Sequence, residues 1–234
     1  RWPNWRGSMF RSDPKRPKAA PKSAPADRSK YERKKDRERA RQAANSESGR
    51  DIGPLPTVAN PERKARCKAS LRLFCEAYLR PRFAMGWSPD HLKAIAKLEA
   101  AVLSGGLFAL AMPRGSGKTS IAEAAALWAI GYGHRRFVVM IGATDDAACE
   151  MMDSVKVLVE TGDEFGEDFP EVCYPIRQME GINNRSSGQV LNGERTRITW
   201  TADEAVLPTV KGSACSGSRI RVAGITGRVR GMKA

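Results

Sequence analysis

The chain has 234 residues and a formal net charge of +14, from 40 Lys/Arg against 26 Asp/Glu, with a pI near 9.9. That length admits one large domain or one domain with a tail. The charge predicts a polyanionic partner, most simply nucleic acid, unless it serves only to solubilise a tail. Five scattered cysteines with no C-x-x-C pair, and two isolated histidines, argue against a zinc site and suit free thiols in a reducing compartment. No run approaches the roughly 18 apolar residues of a membrane helix, so no membrane partner is expected.

In chain order, residues 1–50 hold 16 Lys/Arg against 6 Asp/Glu. Residues 1–57 carry few aliphatic side chains and bury too little apolar surface to offset chain entropy. They read as a largely disordered basic tail, with the folded domain over 58–234. Tyr31 to Ala44 is charged and alanine-rich: either a solvated charge run or a helix formed on DNA or another partner. Trp2 and Trp5, beside Arg1 and Arg6, offer rings for base stacking or simply face solvent.

Asn60-Pro61-Glu62 is a helix start, with a capping side chain, a proline in the first turn and then an acid. This helix is expected to run to about Arg80, with Leu71, Phe74, Cys75 and Tyr78 as its apolar stripe. Ser88-Pro89-Asp90 starts a second helix by the same logic, and Gly105-Gly106 stop it. Leu107 to Met112 then reads as a buried central strand. It runs into Pro113-Arg114-Gly115-Ser116-Gly117-Lys118-Thr119-Ser120 and an alanine-rich helix from Ile121 to Ile130.

Strand, glycine turn and helix in direct succession make a phosphate-binding loop. Behind Pro113, which has no N–H to give, the backbone N–H groups of 114–120 wrap phosphate oxygens, and the new helix points its positive end at them. Lys118 reaches the β- and γ-phosphates of a nucleotide such as ATP, and the Thr119 hydroxyl holds Mg²⁺. The full G-x-x-x-x-G-K-[ST] pattern asks for glycine where Met112 stands, so a glycine turn with a surface lysine is the plain alternative. Arg114 adds a second cation. His91, at the start of the preceding helix, contacts an adenine base or caps its own helix.

Further along, Arg136 to Gly142 is a continuous apolar strand, Thr144 caps a helix with Asp145 and Asp146 in its first turn, and 163–188 is loop-rich. Gln189 to Thr201 reads as a hairpin about Asn192-Gly193, and Ser218 to Gly224 as a strand. The alternation predicts a three-layer α/β sandwich with a mainly parallel sheet. ATP hydrolysis also needs an acidic strand that supplies a metal-binding Asp and a water-orienting Glu. Asp145-Asp146 fit capping better, and Asp203-Glu204 sit on a hairpin, so the acidic strand is expected beyond Ala234.

Met112 to Thr119 resembles the variant phosphate loop of tailed-phage terminase large subunits, which often lack the first glycine and carry a basic residue in the loop. Trp87-Ser88-Pro89-Asp90-His91-Leu92 resembles that family's adenine-binding segment. Ile225 to Met232 resembles its Arg-Gly segment. The likeness spans about residues 60–234 and excludes the tail. It implies a P-loop NTPase fold of the RecA/ASCE type, truncated before its acidic strand and lacking the C-terminal nuclease. It also implies ATP and Mg²⁺ as cofactors, with Lys118, Arg114 and Arg230 as catalytic groups, Arg230 as an arginine finger acting on a neighbouring subunit. Double-stranded DNA, a procapsid portal, a small terminase subunit and further copies of the chain would be partners, in the host cytoplasm. The plain alternative for Arg228 and Arg230 is a pair of cations on a phosphate backbone or in solvent. Two rival functions stay open: a helicase-like or other DNA-dependent ATPase, and a non-catalytic basic nucleic-acid-binding protein.

Overall fold

The computed structural model describes residues 25–48 and 51–225. The chain divides into two units, with the boundary between Ala44 and Asn45 in the sequence. The first described element is α1 (Pro25–Ser48), a helix of 24 residues. This helix covers Tyr31 to Ala44, the stretch read above as either a solvated charge run or a helix. Residues 30–41 are all exposed.

In the second unit, Asn60 caps α2 (Pro61–Lys68), its side chain accepting from the Arg63 N–H. The single helix expected to reach Arg80 is two. Ala69 and Ser70 interrupt it, and Ser70 caps α3 (Leu71–Tyr78). The break follows from serine chemistry: the side-chain oxygen offers the Leu73 N–H an acceptor that starts a new helix in a new direction. The predicted stripe of Leu71, Phe74, Cys75 and Tyr78 is buried as expected.

Next come α4 (Pro89–Ser104), α5 (Lys118–Gly131), β1 (Phe137–Gly142) and α6 (Asp145–Thr161). The stretch read as loop-rich holds two short helices, α7 (Asp163–Asp168) and α8 (Pro170–Arg177). Pro170 occupies the first turn of α8, where its missing N–H costs nothing. The chain continues through β2 (Val190–Leu191), β3 (Glu194–Arg195), β4 (Thr199–Trp200), β5 (Glu204–Val206) and β6 (Arg219–Gly224).

The sheet order is β1-β6-β5-β4, with β2-β3 a separate pair. Only β1 and β6 are parallel, while β5–β6 and β4–β5 run antiparallel. The sheet is thus small and mixed where a mainly parallel one was expected. Short turns after Trp200 and within 207–218 bring each new strand back beside the last, and such connections impose antiparallel pairing. The hairpin at Asn192-Gly193 forms, with φ of 50° and 83° at these two residues, but it closes only β2 on β3; Trp200 belongs to the larger sheet.

Helix α5 is the centre of the body. It packs against α3, α4, α6, β1 and β6, and ten of its residues are buried. That is why it reads as apolar all round rather than as a stripe. Beside it, Phe74, Tyr78, Tyr132, Phe165 and Phe169 form an aromatic cluster, with Phe165 and Phe169 stacked at 4.5 Å. Asp168 anchors the cluster's polar edge. It accepts from the Asn60 N–H at 2.9 Å, Arg63 Nε at 2.6 Å and the Tyr78 hydroxyl at 2.8 Å. All five cysteines are free, four of them buried. Burial pushes the Cys75 and Cys173 thiols up to about 12, which keeps them unreactive. No helix among the described residues is long and apolar enough to cross a membrane.

Candidate functional site

Residues 113–117 make a tight turn into α5. The Ser116 N–H donates to the Pro113 carbonyl at 3.3 Å. Gly115 has φ 81° and Gly117 φ 73°. A Cβ built at either would meet nothing within 4 Å. Backbone angle rather than space therefore calls for glycine here. Gly117 is the N-cap of α5, and its carbonyl accepts from the Ile121 N–H at 3.0 Å. No side chain among the described residues caps this helix. Its first-turn amides and its positive end are left for an external acceptor. Lys118 and Ser120 are half-buried at this end, and Thr119, Arg114 and Pro113 are exposed. The Ser116 hydroxyl is buried and has no hydrogen-bond partner among the described residues. A buried unpaired hydroxyl calls for a partner.

The strand expected before this loop does not form. Leu107 to Met112 joins no ladder among the described residues. Leu107 is fully exposed, and Phe108 and Leu110 are 41% and 37% exposed. An apolar run becomes a strand only beside a neighbour that takes its N–H and C=O groups, and none of β1–β6 pairs with it. The glycine turn and the helix start are therefore present without the buried strand that was to lead into them.

A second wall faces the loop. Phe83 and Trp87 lie with ring centroids 5.0 Å apart, and Trp87 and His91 meet edge-on at 6.0 Å. Together with Arg82, Gly115, Gly117 and Ser120 they border a cleft of about 520 Å³. That size suits a small ligand. His91 has both ring nitrogens engaged. Nδ1 accepts the Ser88 N–H at 3.3 Å, so Nε2 carries the proton and donates to the Ser116 carbonyl at 2.9 Å. Ser88 in turn accepts from the His91 N–H. The histidine caps α4 and ties it to the glycine turn, leaving its ring to the cleft.

Behind this wall lies an anchor that sequence reasoning did not find. Arg82 Nη1 donates to Glu123 Oε2 at 2.8 Å, and Arg82 Nη2 donates to Ser154 Oγ at 2.6 Å. Ser154 Oγ also donates to Glu123 Oε2 at 2.6 Å. Glu123 is buried on α5, five residues after Lys118. The trio binds the cleft's wall to the helix of the loop and to α6. The available signal was a single carboxylate inside an otherwise apolar, alanine-rich run. Such a residue is almost never buried without a partner.

No protein-family model, curated protein or solved structure matches this chain.

Of the acids weighed as metal ligands, Asp145, Asp203 and Glu204 have structural partners. Asp145 Oδ1 accepts from the Gly224 N–H at 2.7 Å, and Thr144 caps α6 through the Ala147 N–H. Asp203 accepts from the Thr201 hydroxyl, and Glu204 lies 3.4 Å and 3.5 Å from Arg219 and Arg221. Among the described residues, no group of three or more His, Cys, Asp or Glu is placed to hold a metal ion. Trp2, Trp5, Arg228 and Arg230 lie outside the described residues.

Proposed function

We propose that this chain is the ATP-binding motor portion of a phage terminase large subunit, a P-loop ATPase that drives double-stranded DNA into a procapsid. The observation that carries the reading is the turn into α5. Two left-handed glycines precede Lys118, and among the described residues the helix end has no side-chain cap and the buried Ser116 hydroxyl has no partner. Anions bind at such helix starts through backbone N–H groups and the helix dipole. The aromatic cleft beside it supports a base-binding role for Phe83, Trp87 and the His91 ring.

The residues fit a triphosphate as follows. Amides of 115–120 cradle phosphate oxygens. Lys118 contacts the β- and γ-phosphates, Arg114 adds charge at the γ end, and the Thr119 hydroxyl takes a place at Mg²⁺. Bound magnesium neutralises charge on the phosphate oxygens. Arg230 acts on a neighbouring copy's nucleotide in a ring of subunits at the portal.

The test is equilibrium binding of a fluorescent ATP analogue with Mg²⁺. Loss of a charge-assisted contact costs about 1.5–3 kcal/mol. Lys118→Ala should therefore weaken binding roughly 10- to 100-fold with an unchanged circular dichroism spectrum. Equal affinity in wild type and variant would remove the nucleotide-site reading.

A further inference from the structure

Helix α1 has an asymmetry that its overall composition hides. Its 24 residues contain no Leu, Ile, Val, Phe, Met or Trp. Lys30, Arg33, Lys34, Arg37 and Arg41 fall at i, i+3, i+4, i+7 and i+11. At 3.6 residues per turn, that spacing confines all five to about 100° of the helix circumference. Every one of these residues is exposed. Asp36 and Glu38 flank the stripe on either side, and Glu32 lies behind it. Lys35 and Arg39 sit on that rear side, each three residues after an acid, Glu32 and Asp36, a spacing that Lys30 and Arg41 share with Asp27 and Glu38.

We propose that this stripe is a docking surface for the phosphate backbone of a nucleic-acid duplex. From Lys30 to Arg41 it extends about 17 Å along the axis at 1.5 Å per residue. Duplex DNA carries one charge about every 1.7 Å of its axis with both strands counted, so roughly ten phosphates lie along the stripe's length and about half of them on the side that faces it. Five cations on a straight, one-sided row answer that half without needing base contacts. A membrane surface fits less well. An interfacial helix inserts an apolar face opposite its basic one, and the rear of α1 presents Glu32, Lys35 and Arg39 instead. Arginine and lysine on phosphate fix position and affinity but read no sequence, so the binding is indifferent to base order. The inference stands on α1 alone. Failure of ATP binding leaves it intact, and its failure leaves the nucleotide cleft intact.

Two double variants of the full chain test it, because both remove the same charge from the same helix. Arg33→Gln/Arg37→Gln cuts the stripe, and Lys35→Gln/Arg39→Gln alters the rear; Gln keeps helix propensity. Fluorescence anisotropy with 20-base-pair DNA and RNA duplexes, over a salt series, supplies the affinities and slopes. Each lost phosphate contact lowers the slope of log K against log salt by about 0.9 and weakens binding on the order of tenfold near 0.1 M salt. The stripe variant should therefore lose about two slope units and far more affinity than the rear variant, with equal helix content by circular dichroism. Tighter binding to one duplex type names the source of the phosphates. Equal losses in the two variants would overturn the proposal. So would binding to anionic phospholipid vesicles with none to either duplex.

Discussion

Asp168 is fully buried and still ionised. Burial pushes its carboxyl upward, but hydrogen bonds from Arg63, the Tyr78 hydroxyl and the Asn60 N–H outweigh that and hold it below the usual value of 3.8. A carboxylate with a depressed folded pKa stabilises the fold above its unfolded pKa and loses that contribution as pH falls through the folded value. Stability should be flat with respect to this group above about pH 4 and decline in more acidic solution. Asp168→Asn removes the charge that Arg63 and Tyr78 were placed to meet. Breaking a buried pair from one side costs about 3–5 kcal/mol. Arg63 retains 21% side-chain exposure, so the lower end is expected. Urea denaturation at pH 7 and pH 3.5 reads both effects: the variant should be weaker at pH 7, and the gap to wild type should narrow at pH 3.5. A constant gap would show that another group carries the acid sensitivity.

At the scale of elements, the meeting of α4 with the glycine turn sets the site. His91 is the joint, since one ring nitrogen completes the α4 cap and the other holds the Ser116 carbonyl. His91→Phe keeps a ring of similar size in the cleft and deletes both bonds. It should lower affinity for the ATP analogue several-fold while leaving most of the stability in place. An affinity equal to wild type would make His91 a cap and nothing more. Gly117→Ala tests the other half of the joint. The left-handed backbone at φ 73° costs a Cβ-bearing residue about 1–2 kcal/mol, with no steric clash to add, and the variant should show both that loss and weaker nucleotide binding. Much of this was legible locally. Ser88-Pro89-Asp90, Thr144-Asp145 and Asn192-Gly193 each announced a cap or turn that forms, because such signals depend on a few adjacent residues. The pairing of His91 with Ser116, 25 residues apart, has no local signature.

At the scale of the molecule, α5 is the hub, and the Arg82–Glu123–Ser154 trio links it to the cleft wall and to α6. Glu123→Gln leaves Arg82 with a neutral partner inside the fold and should cost stability on the order of 1–3 kcal/mol. A midpoint shift in urea reads that loss. No shift would mean that Arg82 relaxes into solvent and anchors nothing. The exposed run at Leu107–Met112 is also a matter of this scale. Its hydrophobicity predicted a buried strand, yet burial and pairing depend on what lies beside it, and no described strand does. The mixed sheet has the same origin: β1 and β6 show up as extended runs, whereas β5 does not and Trp200 was expected in the hairpin about Asn192-Gly193, because strand order and direction depend on the lengths and paths of the connections.

The residues alone determined the basic charge of the first fifty positions, the helix caps, the apolar stripe of α3 and the glycine turn that leads into Lys118. These follow from side-chain chemistry acting over one to four positions. Only the tertiary structure decided which distant groups meet: Asp168 with Arg63, Glu123 with Arg82, His91 with the Ser116 carbonyl. Such contacts repay the desolvation of a buried polar group only when the fold delivers its partner within about 3 Å.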